Sequence, residues 1–425
     1  MTADSPAELG RRAQAMLDAL AAISDEEGRI TRLYLSPAHR RAADLVARWM
    51  REAGMAVSED ALGTVRGSTP PGAPGPSSNR RYLVGSHIDT VVDAGRYDGM
   101  LGVVAGILAL QEIAARGIRL PFGVDVLAFG DEEGVRFPTT LASSSAVAGV
   151  FDTADLDGAR DAAGVSLREA LVAFGGDPDG VASAAYPRDE VLGYLEVHIE
   201  QGPVLEIEDR PLGVVTSIAG QSRFLVTVTG DAGHAGTVPM GHRRDALAAG
   251  AEMILAVEEI ARAGREHQMV ATVGRLSLEP GAVNVIPSRV SFTVDLRAAT
   301  DPPRAAAEAA VRHRFRAIAE ARSVAFLMDR YHDTPTTPCA GRIQDAFARA
   351  MGDLGLPARR LTSGAGHDGH AMHALCDIGM LFVRCRAGIS HNPNEYADAG
   401  DMGLAVEALI RALTALADGE GEGST

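Results

Sequence analysis

Three apolar runs in the first half of the chain end abruptly in polar residues. Residues 82–84 are followed by Gly-Ser-His, residues 122–129 by Gly-Asp-Glu-Glu, and residues 192–198 by Ile-Glu-Gln-Gly. Short apolar runs with such ends are typical of buried strands. Polar groups at the carboxyl ends of strands lie where open α/β sheets bind their ligands. The pattern therefore predicts a buried sheet with a candidate site at one edge.

Helical spacing of apolar residues accounts for much of the chain between these strands. Residues 37–53 predict an amphipathic helix, and residues 100–115 are apolar on nearly every side, which predicts a helix buried against the sheet. A Pro, Gly and Ser-rich stretch, residues 66–80, predicts a mobile surface loop. Near the end we predict helices over 342–354 and 401–417, a strand over 379–385, and a frayed tail over 418–425.

The order of elements changes at about residue 213. We predict a strand over 214–229, a helix over 243–263, two strands over 270–278 and 289–296, a helix over 303–321 and a last strand over 324–328. This β-α-β-β-α-β order matches the ferredoxin-like unit. None of the acidic clusters lies in it. We therefore expect an α/β/α domain with a mixed sheet, residues 1–212 and 330–425, into which an α+β domain, residues 213–329, is inserted.

Charge and composition exclude several classes of protein. The net charge of −16 makes nucleic acid an improbable partner, and no uncharged apolar run approaches the roughly 20 residues that span a membrane. The three cysteines do not suggest a disulfide framework or a zinc finger. The first twenty residues lack the apolar core of a signal peptide, so we expect a cytoplasmic protein. An anionic substrate would need a local cationic group.

Five side chains near the predicted strand ends form a candidate metal-ligand set: His87, Asp98, Glu133, His198 and His391. Mixed imidazole and carboxylate ligands suit Zn or Mn, with Co or Ni also possible. Five ligands are too many for one catalytic zinc with an open position, but they suit two ions that share a carboxylate. Asp98, which lies between glycines, is the expected bridge.

Two further acids have predicted supporting roles. Asp89 lies two residues after His87, so on an extended strand it can accept the ring proton that fixes the tautomer of His87. Glu132 is the expected base, which takes a proton from the attacking water and returns it to the leaving nitrogen. Taken alone, adjacent acids more often form a solvated loop, and single histidines are more often surface or core residues. An HExxH motif is absent.

Five ordered motifs resemble the M20 metallopeptidase-like amidohydrolases: GSHIDTV (85–91), GRYDG (95–99), DEEGVRF (131–137), EVHIEQGP (196–203) and GISHNP (388–393). Within this family, the HIEQG motif and GHAGTVPM (233–240) resemble the branch of allantoate amidohydrolases, N-carbamoyl-L-amino-acid hydrolases and β-ureidopropionases. The resemblance implies the same five metal ligands, with Asp89 and Glu132 in their predicted roles. It also implies that the inserted domain is a lid and dimerisation domain, so the expected fold is a metallohydrolase and the expected assembly a homodimer.

The resemblance adds residues that spacing alone does not assign. It implies that His234 polarises the scissile carbonyl and that Arg297 binds the substrate carboxylate. It places Gln201 and Asn284 among the substrate contacts, and Gly366 and His367 in the lining of the pocket. Without it, Asn284 could simply cap a turn and Arg297 could be a surface arginine. One departure is Gly369, where relatives usually carry alanine.

The expected reaction is hydrolysis of a ureido C–N bond in a small anionic carboxylic acid, with domain closure completing the site. Allantoate is the first candidate substrate, because Arg384 and Arg386 precede the last motif and the expected contacts are polar. N-carbamoyl-L-amino acids or N-carbamoyl-β-alanine are the alternative. Further alternatives are an M20 aminopeptidase or deacylase, which the HIEQG motif disfavours, and a non-catalytic binding protein, which would be expected to have lost a ligand or Glu132.

Overall fold

A computed structural model describes residues 4–73 and 79–422. In these residues the α-helices are α1 Pro6–Ala21, α2 Pro37–Glu52, α3 Met100–Ala115, α4 Ala142–Val147, α5 Asp155–Gly158, α6 Leu167–Phe174, α7 Val204–Ile207, α8 Ala246–Ala263, α9 Asp301–Arg322, α10 Gly341–Asp353, α11 Asp368–Met372 and α12 Ala399–Glu422. The strands are β1 Ala56–Glu59, β2 Val65–Thr69, β3 Arg81–His87, β4 Gly123–Phe129, β5 Val191–Ile199, β6 Leu212–Ile218, β7 Gly220–Thr229, β8 Gly233–His234, β9 Val270–Thr272, β10 Leu276–Glu279, β11 Val285–Ile286, β12 Arg289–Ala298, β13 Ala325–Thr334, β14 Thr337–Pro338, β15 Arg360–Ser363 and β16 Ile378–Val383.

Several predicted elements differ from the structure. The strand predicted over 214–229 is divided at Ala219 into β6 and β7, and the strand predicted over 270–278 is divided into β9 and β10. Residues 66–69 of the predicted loop belong to β2, which pairs with β1 and β4; residues 74–78 lie outside the described part. The predicted frayed tail is helical as far as Glu422, with residues 423–425 outside the described part.

The chain divides into two compact units. The first contains Met1–Thr216, Pro338–Leu361 and Ala365–Thr425, and the second contains Ser217–Thr337 and Thr362–Gly364. The predicted boundary between residues 329 and 330 falls inside β13, because this strand continues to Thr334 and pairs with β7 as far as Gln221. The second unit therefore ends later than the predicted residue 329, and it also begins later than the predicted residue 213.

The sheet of the first unit runs in the order β1-β2-β4-β3-β5-β16-β6. Strands β4, β3, β5 and β16 are parallel, whereas β2 and β6 are antiparallel to their neighbours. The apolar helix α3 packs against β3, β4 and β5 and also against α1 and α12, so it is buried at nearly every position, as predicted. The four parallel strands deliver the segments that follow them to one edge of the sheet.

The second unit contains a five-stranded antiparallel sheet, in which β10, β12, β7 and β13 are neighbours in that order and β9 also pairs with β12. Alternate residues of β7, Phe224, Val226 and Val228, lie in a core that α8 and α9 share. This is the ferredoxin-like arrangement expected from the order of the elements. Among the described residues, none of the helices combines the length and apolar character needed to cross a bilayer.

Candidate metal centre

The five predicted ligands converge at the carboxyl edge of the parallel strands. His87 ends β3, His198 is the penultimate residue of β5, Glu133 follows β4, and His391 lies in the segment after β16. Asp98 lies in the loop that leads from β3 into α3. Gly99, beside it, has φ +73°, and a Cβ at this position would collide with the His87 ring, so only glycine permits this close approach.

The ligand atoms form two groups that share one residue. Atoms of His87, Asp98 and His198 lie within 4.8 Å of one another, and so do atoms of Asp98, Glu133 and His391. Asp98 belongs to both groups: its Oδ1 lies 3.2 Å from His198 Nε2, and its Oδ2 lies 3.0 Å from His391 Nε2. Both groups are of a kind that can hold a metal ion.

Backbone carbonyl groups orient two of the imidazole rings. His87 Nδ1 lies 3.0 Å from the carbonyl oxygen of Asp89, and His198 Nδ1 lies 2.9 Å from that of Ile199. A proton on each Nδ1 would satisfy these carbonyls and leave each Nε2 as a ligand atom. The predicted bond from His87 to the carboxylate of Asp89 is replaced by the bond to its carbonyl; the nearer carboxylate oxygen lies 3.7 Å away.

The carboxylate of Asp89 instead anchors the loop after β4. Its two oxygens accept hydrogen bonds from the backbone N–H groups of Glu132 and Glu133, each at 3.3 Å. The preceding residue, Asp131, has φ +64°, a conformation that non-glycine residues adopt rarely and that is concentrated at functional sites. Asp89 therefore links the loops after β3 and β4, and it positions Glu132 and Glu133 through their backbone N–H groups.

Burial and mutual repulsion shape the charge of the two glutamates. Burial, reinforced by the nearby carboxylates of Asp368 and Asp98 respectively, raises the pKa of Glu132 and of Glu133 to about 8. Burial also opposes ionisation of Asp98, but the hydrogen bond from His391 and the charges of His198 and His87 hold the pKa of Asp98 well below the usual range. The same hydrogen bond raises the pKa of His391 to about 9.

The donor set fits divalent cations. In the described part of the chain, Asp89, Asp98, Glu132 and Glu133 form ion pairs only with histidines, and the chain contains no lysine. Several carboxylates buried together are costly unless cations or protons neutralise them. The composition of the centre therefore matches the metal dependence expected from the sequence.

Three other predicted residues of the first unit lie beside this cluster. Gln201 Nε2 lies 3.1 Å from both carboxylate oxygens of Asp98, and its Oε1 is buried without a hydrogen-bond partner among the described residues. The buried ring of His367 packs edge-on against His198, with ring centroids 4.5 Å apart. A Cβ at Gly366 would lie 3.7 Å from Glu132 Oε1, so this backbone borders the predicted base.

The predicted residues of the second unit form a separate set. His234 lies on β8, which pairs with β11, and the backbone N–H of Ala235 donates to the carbonyl of Asn284 at 2.9 Å. The side chains of both His234 and Asn284 are exposed. His234 Nδ1 accepts from the N–H of Gly236 at 3.1 Å, so in the neutral ring the proton is on Nε2 and available to an acceptor.

Arg297 lies on β12 and lines a cavity of about 510 Å³ within the second unit. Its Nε and Nη2 donate to the carboxylate of Asp295 at 2.9 and 3.0 Å, and its Nη1 donates to the carbonyl of Gly364 at 2.5 Å. A guanidinium carries five N–H donors, so two remain, one on each terminal nitrogen. The two terminal nitrogens of a guanidinium are the atoms that can bind a carboxylate through both of its oxygens.

The structure adds supporting residues that the sequence analysis missed. Glu395 and Ser390 hydrogen-bond the loop of Asp98, and Glu196 in β5 accepts a hydrogen bond from Ser86 in β3 at 2.9 Å. Glu196 and Ser390 lie inside two of the quoted motifs, and Glu395 lies two residues after the end of the last motif. All three are polar residues that lie within a few positions of a candidate ligand, and this proximity was the signal that could have identified them.

Two arginines that favoured allantoate in the sequence analysis have other partners. Arg384 forms an ion pair with Asp401 at 2.8 Å, and the guanidinium of Arg386 lies over the ring of Tyr396. Their position before the last motif therefore no longer supports a second polar arm in the substrate.

Residues 83–415 match peptidase family M20/M25/M40, a segment that contains all five candidate ligands. The chain belongs to this family, and it is an amidohydrolase. An N-carbamoyl-L-amino acid amidohydrolase from Geobacillus stearothermophilus is 42% identical over 92% of this chain and 95% of its own length. An allantoate deiminase from Arabidopsis thaliana is 40% identical over 94% of this chain and 81% of its own.

A solved structure shares the whole fold. The hydantoinase/carbamoylase family amidase from Burkholderia ambifaria is 35% identical, with a TM-score of 0.88 over 96% of this chain and 97% of that one. These findings confirm the predicted family, its amidohydrolase branch and the fold class. Members of the family typically depend on metal ions, in agreement with the two groups of candidate ligands.

Proposed function

We propose that this enzyme hydrolyses the ureido C–N bond of a small carboxylic acid, with allantoate as the first candidate substrate. The observation that carries the proposal is the position of Asp98, whose carboxylate belongs to both groups of ligand atoms. The names of the relatives support the ureido bond, since they include an allantoate deiminase and an N-carbamoyl-L-amino acid amidohydrolase.

We assign one metal ion to His87, Asp98 and His198, and a second to Asp98, Glu133 and His391. The ligands are nitrogen and oxygen atoms without a thiolate, which suits Zn or Mn and also permits Co or Ni. When bound, two such ions supply Lewis acidity that polarises the substrate's carbonyl and lowers the pKa of water.

Glu132 is the proposed proton carrier. It belongs to neither group of ligand atoms, and its Oε2 lies 3.9 Å from His87 Nε2, so it borders the centre without belonging to it. Its carboxylate takes a proton as the oxygen of water bonds to the carbamoyl carbon, and it returns a proton to the nitrogen as the C–N bond breaks. Asp89 holds the backbone of Glu132 in place for both transfers.

Residues of the second unit are the proposed groups for binding and polarising the substrate. Arg297 offers its two remaining N–H donors to the carboxylate. His234 offers its Nε2 proton to the carbonyl oxygen as negative charge develops there. The amides of Asn284 and, in the first unit, Gln201 bind the polar arms of the substrate. The pocket lining is completed by Gly366 and His367.

N-carbamoyl-L-amino acids are the second candidate substrates, because the relative from Geobacillus stearothermophilus matches this chain as well as the allantoate deiminase does. Both classes carry a carboxylate for Arg297 and a carbamoyl group for the metal centre. They differ in the rest of the molecule, which is a second ureido arm in allantoate and an amino-acid side chain in the alternative.

The test measures metal content and product formation in one preparation. Purified enzyme is incubated with allantoate, an N-carbamoyl-L-amino acid, N-carbamoyl-β-alanine and a dipeptide, and ammonia and the product amine are quantified. We expect about two metal ions per chain, as in other two-metal hydrolytic sites, and ammonia from allantoate. Turnover of an N-carbamoyl amino acid with no ammonia from allantoate would replace the first candidate by the second, and turnover of the dipeptide alone would overturn the proposal.

We also propose a cytoplasmic homodimer that associates through the second unit. The three cysteines are free, which suits a reducing compartment. The second unit exposes several large apolar side chains, among them Leu255 at 64% and Leu327 at 58%. Light scattering of the purified chain tests the dimer: a monomer at micromolar concentration contradicts it.

A further inference from the structure

Glu395 connects two loops that are almost three hundred residues apart in sequence. Its Oε1 accepts hydrogen bonds from the backbone N–H groups of Tyr97 at 2.7 Å and Asp98 at 3.2 Å. Its side chain is nearly enclosed, since the residue is only 4% exposed. One carboxylate oxygen therefore fixes the backbone of the loop that carries Asp98, the residue shared by both groups of ligand atoms.

The other oxygen of Glu395 reaches the loop that carries His391. Ser390 Oγ lies 3.1 Å from Glu395 Oε2 and 3.1 Å from Asp98 Oδ2. Glu395 is thus bonded to the backbone of Asp98 and to the residue next to His391. The surrounding packing is tight, because a Cβ at Gly95 would collide with the Glu395 carboxylate.

His391 needs such support. Its side chain is 49% exposed, so packing does not fix it, and its backbone has φ +54°, a conformation that costs a non-glycine residue free energy. Strained conformations persist only where the surrounding contacts overdetermine them. Around His391, the bonds that involve Ser390 and Glu395 are contacts of this kind.

From this geometry we infer that Glu395 is a positioning residue, which sets the distance between Asp98 and His391 and thereby the affinity of the second ligand group. The inference rests on the proposed function, because it assumes that Asp98, Glu133 and His391 bind a metal ion. Glu395 belongs to neither group of ligand atoms, so its effect passes through the backbone of Asp98 and through Ser390.

The experiment compares Glu395→Ala with two other variants of the full chain. Glu395→Gln keeps an oxygen for the two backbone N–H groups and an amide that can contact Ser390. Glu112→Ala is the matched control: Glu112 is also 4% exposed, but it lies on α3, bonded to Arg116 and about 20 Å of helix away from Asp98. Affinities for Zn²⁺ and Mn²⁺ are measured by competition with a chelator, and thermal unfolding is measured without metal.

We expect Glu395→Ala to lose about 10–100-fold in affinity for one of two ions, the range typical of partners behind metal ligands. Glu395→Gln should restore most of it, and Glu112→Ala should keep the affinity of the unmodified enzyme. If Glu395→Ala binds two ions with unchanged affinity, or loses no more affinity than Glu112→Ala, the inference is wrong while the proposed function stands. If the unmodified enzyme binds no metal, the proposed function itself fails.

Discussion

The two units present their reactive groups in opposite ways. In the first unit, His87 and His198 lie at the ends of strands and Asp98 lies in the loop before α3; all three are almost completely buried and are held by hydrogen bonds within that unit. In the second unit, His234 is exposed on a two-residue strand, and Arg297 keeps unused donors. A metal centre needs ligands fixed to within a fraction of an ångström, whereas a group that captures substrate must be accessible.

This difference suggests a division of labour, in which the candidate metal centre and Glu132 of the first unit perform the bond cleavage and Arg297 of the second unit holds the substrate. Substitutions of the former should then change kcat or metal content, whereas substitution of Arg297 should change KM. The following predictions compare the two units, in order of decreasing effect.

Glu132→Gln should reduce kcat by about 10²–10⁴-fold, because an amide cannot accept the proton of the attacking water. Metal content should be unchanged, since Glu132 belongs to neither group of ligand atoms. Steady-state kinetics and elemental analysis measure the two effects. Its neighbour provides the control: Glu133→Gln should lower metal content. Loss of metal from Glu132→Gln would show that the roles of the two glutamates are exchanged.

Arg297→Met should raise KM about 10–150-fold with little change in kcat, since hydrogen bonds to a charged group contribute about 1.5–3 kcal/mol. Arg297→Lys keeps the charge but loses the paired donors, so its KM should be intermediate. Initial rates over a range of allantoate concentrations measure both constants. A decrease in kcat equal to that in kcat/KM would place the Arg297 interaction in the transition state alone and contradict the division of labour.

Acid should destabilise the first unit through His39. Burial lowers the pKa of His39 to about 3, whereas in an unfolded chain it is about 6.5, so between these values the unfolded state binds the additional proton. The contribution of neutral His39 to the free energy of unfolding is therefore complete above about pH 6.5. It decreases as the pH falls towards 3, by up to about 1.4 kcal/mol per pH unit.

Denaturant unfolding at several pH values measures this slope. In the native protein the N–H of Leu35 donates a hydrogen bond to His39 Nδ1 at 3.0 Å. The variant His39→Asn keeps an acceptor for this N–H, and its free energy of unfolding should depend less steeply on pH. His313→Asn, which replaces an exposed histidine on α9 of the second unit, is the control for the loss of a histidine. An equal slope in all three proteins would contradict the role of His39.

Much of the candidate metal centre could be predicted from the sequence because its signals are local. His87 and His198 lie at the ends of apolar runs that are typical of buried strands, and parallel strands bring the segments after them to one edge of the sheet. The ligand types themselves then restrict the chemistry to nitrogen and oxygen coordination of divalent ions. The helix over residues 100–115 was predictable for a similar reason, since its apolar surface requires burial on all sides.

Other features depend on contacts between distant segments. The bond between His87 and the carbonyl rather than the carboxylate of Asp89 depends on the position of the loop after β4, whose N–H groups bind that carboxylate. Similarly, Arg384 pairs with Asp401, so its position just before the last motif does not support a contact with a polar arm of the substrate. In both cases the fold brings a competing partner close enough to form the hydrogen bonds.

Short segments of the chain were enough to establish the buried strands, the apolar helix, the ligand types and the family of this enzyme, because hydrophobic spacing and side-chain chemistry are local properties. The folded chain was needed to reveal which ligands share Asp98, how Asp89 holds the two glutamates, and that Glu395 connects the loops of Asp98 and His391. These contacts join residues as many as about three hundred positions apart, and their geometry follows from how the sheet and its loops pack.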